Sequence, residues 1–161
     1  VLSNQELSLE EREMGVRGML ENHLAIRKIG LLILSKRYRK VEKAQMDEYM
    51  GLISEYLLRK YARLLGGYSG QTIEVVRSGK VGKRDALVET VIHQDGGEPI
   101  NVGWRVRSSQ GRLLILDVMV ERISMVLTER QQFDAVLKKE KFEGLIQVLR
   151  LKITKFAAQS G

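Results

Sequence analysis

From Asn101 to Thr128 the chain reads NVGWRVRSSQGRLLILDVMVERISMVLT, and this stretch decides the fold class. Val102, Trp104 and Val106 alternate with Gly103, Arg105 and Arg107, which is a strand with one buried face. Ser108-Ser109-Gln110-Gly111 is a turn, with the glycine free to take positive φ. The returning arm, 112–121, is apolar on both sides. Leu114, Leu116, Val118 and Val120 share one face, and Leu113, Ile115 and Met119 the other. A strand apolar on both faces must be covered on both. The cover is a helix, another sheet or a bound apolar ligand.

Outward from this hairpin, more strands precede it. Residues 72–77 and 86–93 alternate as strands. Asp95-Gly96-Gly97 is a turn signal before the hairpin. Between the first two strands, Ser78 to Arg84 (SGKVGKR) reads as a basic, glycine-containing hairpin loop. It lacks the GxxxxGK[ST] spacing of a phosphate-binding loop, and no helix follows it. Downstream, helices are predicted over 127–138 and 141–156, the second with a broad apolar face (Phe142, Leu145, Ile146, Leu149, Ile153, Phe156). Upstream, Ser8 and Glu11 form a capping-box signature for a helix over 8–22. A second helix is predicted over 23–36. A third, 41–65, carries Tyr49, Leu52, Ile53, Tyr56, Leu57, Tyr61 and Leu64 at spacings of three and four. Gly66-Gly67 ends it. Helices, then a strand meander, then closing helices predict an α+β fold.

The chain of 161 residues is 43% hydrophobic and 29% charged, and its length predicts one domain over 1–161. Within that domain, residues 1–66 are mainly helical, 71–121 form a strand meander and 127–156 form the closing helices. Cysteine is absent, which excludes a disulfide framework, a thiolate nucleophile and a cysteine metal site. The two histidines, His23 and His93, are far apart, and no metal site or cofactor is predicted. The longest dense apolar run, 29–34, is far too short to span a bilayer, and no signal peptide is legible at Val1. The net charge of +7 favours acidic partners: anionic lipid headgroups, membrane surfaces or nucleic acid. Basic and apolar residues mix most densely in RKIGLLILSKRYRKVEK, Arg27 to Lys43.

No residue set assembles into a reaction centre. Asp117 stands on the apolar returning arm, as a lone acid with a raised pKa or as a structural aspartate paired with Arg105 or Arg107. Glu121 and Ser124 have no histidine near in sequence to form a nucleophile–base pair. Glu89 and His93 share a strand face but need a third ligand from elsewhere to hold a metal. The chain is therefore read as a non-enzyme.

The order Trp104-Arg105, Asp117-Val118-Met119-Val120-Glu121, Ile123-Ser124-Met125 and Thr128 resembles the MlaC family, the periplasmic phospholipid-binding auxiliary proteins of ABC transporters, also called the toluene-tolerance family. Upstream, Tyr68-Ser69-Gly70-Gln71-Thr72, after a helix ending Lys60-Tyr61-Ala62, fits the same pattern. The resemblance runs from Met14 onward. It departs at Leu34-Ser35-Lys36-Arg37-Tyr38, at Lys43-Ala44-Gln45-Met46 and at Arg122, where the family commonly has glycine.

The resemblance implies a curved, mostly antiparallel sheet of about four strands, packed with the N- and C-terminal helices around an apolar pocket for phospholipid acyl chains. It also implies a monomeric periplasmic carrier whose export signal is already removed. Such a carrier moves lipid between an outer-membrane lipoprotein complex and an inner-membrane ABC transporter complex. On facing parity the candidate lining is Tyr49, Ile53, Tyr56, Trp104, Val106, Leu116, Val118, Val120 and Met125. Arg105 and Arg107 are the candidates for attracting a headgroup phosphate at the mouth. A close-packed core and an apolar cavity give the same sequence pattern. The alternative reading is a basic nucleic-acid-binding module. It needs exposed aromatics on a basic face, whereas the tyrosines here follow apolar spacing and Trp104 lies on a buried-looking strand. No nucleic acid is expected.

Overall fold

The structure, a computed structural model, describes residues 8–66 and 71–158. Tyr68-Ser69-Gly70 of the resembling motif, and Gly67 of the predicted helix stop, lie outside the described residues.

Helix α1 (Leu9–His23) begins at the predicted capping box. The Ser8 hydroxyl accepts from the Glu11 N–H at 3.2 Å, and the Glu11 carboxylate accepts from the Ser8 N–H at 2.8 Å. The helix buries Val16 and Leu20 and ends at an extended Leu24, after which the Ala25 N–H donates to the Ile115 carbonyl at 2.9 Å. Helix α2 (Ile26–Leu34) is therefore shorter than the predicted 23–36, because its start is tied to the sheet. It continues into a 3-10 turn, Ser35–Lys40. Helix α3 (Lys43–Gly66) turns its tyrosine stripe inward, with Tyr49, Ile53, Tyr56, Leu57 and Tyr61 buried. Glycine at position 30 lets α2 and α3 approach closely. A Cβ there would lie 3.2 Å from the Met50 sulfur and 3.3 Å from Ile53 Cγ2, while the Tyr49 hydroxyl donates to the Gly30 carbonyl at 2.9 Å.

The sheet is antiparallel, in the order β1-β2-β3-β4-β5: β1 (Thr72–Val81), β2 (Asp85–His93), β3 (Ile100–Ser109), β4 (Arg112–Val120) and β5 (Ile123–Ser124). The described residues thus hold five strands, one more than the sequence predicts, because the two-residue β5 pairs back on β4. Strand β1 also runs four residues beyond the predicted 72–77. Ser78, Gly79, Lys80 and Val81 are poor or solvated strand residues, but each pairs with a residue of β2, and that pairing overrides local propensity. The β4–β5 turn holds Glu121 (φ 47) and Arg122 (φ 67) in the left-handed region. Arginine there costs about 1 kcal/mol that glycine would not.

Registered neighbours share a face, which sorts the sheet into two sides. Val88, Trp104 and Val118 form one row of the core side, and Thr90, Val102 and Val120 another. This side packs with α1, α3 and α4 in a core that includes Tyr56, Phe133 and Leu149. The opposite side carries the rows Leu87–Arg105–Asp117 and Glu89–Gly103–Met119. A register shift in β4 puts Arg105 opposite Asp117 and Val106 opposite Ile115, so Leu116 is the extra residue of a bulge.

Helix α4 (Met125–Ala158) closes the molecule. It breaks at Lys141 (φ 59, ψ −161), at the junction between the two helices the sequence predicts. Phe133 is fully buried, and its ring lies 6.0 Å from that of Tyr56. Among the described residues no helix is long and apolar enough to cross a membrane.

Candidate functional site

The main cavity lies on the side of the sheet away from the core, between α2, the 3-10 turn and the start of α4. Its volume is about 800 Å³, within the roughly 300–1,000 Å³ of ordinary ligand sites. Helix α2 gives it Leu31 and Leu32, on the flank that Ile29 and Ile33 do not use for the core. The sheet contributes Val81, Leu87, Leu116 and Met119, and α4 contributes Val126 and Leu127. Gly103 clears the floor. A Cβ there would stand 3.3 Å from Leu87 Cδ1 and 3.6 Å from Met119 Cβ, so these two side chains converge over it. Leu32, Val81 and Leu127 are exposed at the mouth. A second cleft, of about 150 Å³, lies between α1, α3 and the end of α4. It holds Arg17 and Arg59, both engaged by Glu55, and its volume is below the roughly 300–1,000 Å³ of ordinary ligand sites.

The polar lining is strongly basic. Lys28, Lys36, Arg39, Arg105, Arg107 and Arg130 stand around the cavity against one lining carboxylate, Asp117. Asp117 is not paired with an arginine. It accepts from the Ser124 hydroxyl and, at 3.1 Å, from the Val126 N–H, so it ties β4 to the first turn of α4. The structural reading of this residue thus stands with different partners from those the sequence suggests. A short carboxylate near an unsatisfied helix N–H is the better acceptor. The arginines go instead to Asp85. Arg107 Nε donates to Asp85 at 2.6 Å and Arg105 Nε at 2.7 Å, with the Asp85 side chain only 2% exposed. Asp85 therefore fixes both guanidinium groups along the wall.

These bonds, that from Arg107 foremost, hold the Asp85 carboxyl below its usual pKa. The unfolded carboxylate titrates near 3.9. The stability Asp85 provides is thus fully present above about pH 4 and lost as pH falls through the lower folded pKa. Asp85→Asn is expected to cost about 1–2 kcal/mol at neutral pH, the lower end of a paired buried carboxylate because both arginines keep access to water. Thermal melts from pH 7 to pH 2 should show the gap to wild type closing below pH 4.

The structure divides the residues selected by parity. Leu116, Arg105 and Arg107 line the cavity. Tyr49, Ile53 and Tyr56 are buried between helices, and Trp104, Val106, Val118, Val120 and Met125 are absent from the cavity wall. Trp104 and Val118 share the core face, and Trp104 donates from Nε1 to the Thr90 hydroxyl at 3.0 Å. Burial raises the phenol pKa of Tyr49, Tyr56 and Tyr61, and the Glu129 carboxylate adds to this. The three remain neutral hydroxyls. Sequence parity selects the apolar face of β3, which is the core face; the cavity lies under its arginine face. Sequence reasoning missed Leu87 and Met119, because their places across from Arg105 and Gly103 follow from the strand register.

Among the described residues no group of three or more His, Asp or Glu is placed to hold a metal ion. Glu89 is engaged by Arg77, and His93 lies 2.9 Å from Glu74.

Comparison with known proteins places this arrangement. The MlaC protein family matches residues 1–151. The chain belongs to the MlaC family. It is 23% identical over 135 residues to the intermembrane phospholipid transport system binding protein MlaC of Haemophilus influenzae. That alignment covers 81% of this chain and 63% of the relative, so the chain spans about 63% of the relative's length. The fold is also that of the phospholipid-binding protein from Ralstonia solanacearum, solved in complex with a phospholipid. The TM-score is 0.78 at 18% identity, over 92% of this chain and 87% of that one.

Proposed function

We propose that this protein is a soluble periplasmic phospholipid carrier that encloses acyl chains in the cavity between α2, the sheet and α4. On this reading it moves lipid between an inner-membrane ABC transporter complex and an outer-membrane lipoprotein complex. The observation that carries the reading is a largely apolar cavity of about 800 Å³ in a chain of the MlaC family. The names of its relatives support the same cargo. The physics requires such an enclosure. Each methylene taken from water is worth about 0.8 kcal/mol, so a diacyl lipid has almost no free concentration and must travel covered. Leu31, Leu87, Leu116, Met119 and Val126 would cover the tails, and the headgroup would remain at the mouth beside Arg105 and Arg107.

Native mass spectrometry of the purified protein, with solvent extraction and lipid analysis, tests the proposal. The expected result is a bound mass that resolves into phospholipid. A protein that carries no lipid, and takes none from labelled vesicles, overturns it.

A further inference from the structure

The charge around the cavity is larger than a carrier of neutral tails requires. The tails are held by apolar contact, which is indifferent to the headgroup. Yet six cationic side chains line this cavity. Arg105 and Arg107 share Asp85, and Arg39 lies over the Tyr38 ring with its guanidinium carbon 5.8 Å from the centroid. Asp117 is committed to Ser124 and Val126. Among the described residues, Lys28, Lys36 and Arg130 have no ion-pair partner, and Lys36 and Arg130 are exposed. Three of the six, Lys28, Lys36 and Arg39, come from the basic–apolar stretch that stands out in the sequence. That stretch folds so that Leu31 and Leu32 line the cavity together with these cations.

We propose that this set of cations makes the carrier selective for phospholipids with a net negative headgroup, a phosphate diester to an uncharged polyol, over zwitterionic ones. The inference rests on the carrier reading and names its preferred cargo. Both lipid classes present a phosphate to the cations. A zwitterionic headgroup adds an ammonium, which must enter the same positive field or turn out of it, and either choice forfeits some of the attraction. A neutral polyol carries no such cost and offers hydroxyls to hydrogen-bond. Partly exposed ion pairs are each worth a few tenths to one kcal/mol. Two or three unpaired cations therefore give a preference of roughly fivefold, and it should weaken at high salt.

The test uses mixed vesicles holding equal amounts of isotope-labelled dioleoyl phosphatidylglycerol and dioleoyl phosphatidylethanolamine. The tails are identical and both lipids share one surface, so neither chain length nor vesicle docking can produce a preference. After incubation, the protein is separated and its bound lipid quantified by mass spectrometry. Wild type should hold roughly five times more of the anionic lipid. Lys36→Gln with Arg130→Gln should reduce the ratio below about twofold, and Lys36→Glu with Arg130→Glu should bring it to one or reverse it. Equal loading by wild type overturns the selectivity and leaves the carrier reading intact. A ratio unchanged in the variants, or a loss of both lipids in equal proportion, also overturns it. Uptake of neither lipid by wild type overturns the carrier reading itself.

Discussion

Tryptophan placed at both Leu87 and Met119 should reduce phospholipid uptake about tenfold or more without unfolding the protein. Both side chains stand over Gly103 on the cavity floor, and neither belongs to the buried core. The added rings project into open volume, so they avoid the overpacking cost of a filled site. They remove space that tails would occupy. Exclusion of only two methylenes costs about 1.6 kcal/mol, which is more than tenfold in affinity. Uptake from labelled vesicles measures the loss, and a thermal melt within a few degrees of wild type shows that the fold persists. Full uptake by the double variant would move the lipid site off this floor. Trp104→Phe makes the contrast on the other side of the same strand. It removes the hydrogen bond to Thr90 and acts on the packed face, so it should affect stability before uptake.

That contrast also shows what the sequence could reveal. The both-sided apolar pattern of β4 asked for cover on two faces, and the strand meets it only in part, since Leu113 is exposed. Val118 and Val120 are covered by the core, while Leu116 and Met119 line the cavity. Which face took which cover was not legible. Packed side chains and a ligand cavity both present leucine and valine, and the more apolar face of β3 is the packed one. The bulge hid the rest. An inserted residue shifts parity by one, so Ile115 pairs with Val106 on the core side while Asp117 and Met119 stay opposite. The helices were more readable because their signals are local. Ser8 and Glu11 announce α1, and the three- and four-residue spacing of the tyrosines gives the inner face of α3. The Asp85 pairing to Arg105 and Arg107 depends on the register between β2 and β3, a nonlocal fact that no short window contains.

The largest expected loss of stability comes from Glu129, whose side chain is 1% exposed at the α3–α4 contact. Its carboxylate accepts from the Tyr56 hydroxyl at 3.0 Å and pairs with the Lys60 ammonium. Glu129→Ala strands both donors. A buried pair broken from one side costs about 3–5 kcal/mol. Lys60 is 24% exposed and can recover some hydration, which sets the expectation near the bottom of that range, about 3 kcal/mol. Urea denaturation of the single variant measures it. The triple variant Glu129→Leu, Lys60→Met, Tyr56→Phe separates two explanations of that loss. If the cost lies in donors left without a partner, apolar replacement of the whole group should return stability to within about 1 kcal/mol of wild type, as buried ion pairs commonly allow. If it lies in the particular geometry of the three groups, the triple variant will remain as weak as the single one. The distinction reaches the cavity, because Glu129 sits between Leu127 and Arg130, which line its wall. A triple variant that is stable but loads lipid poorly would show that the polar contact sets the position of α4, while apolar packing alone keeps it folded.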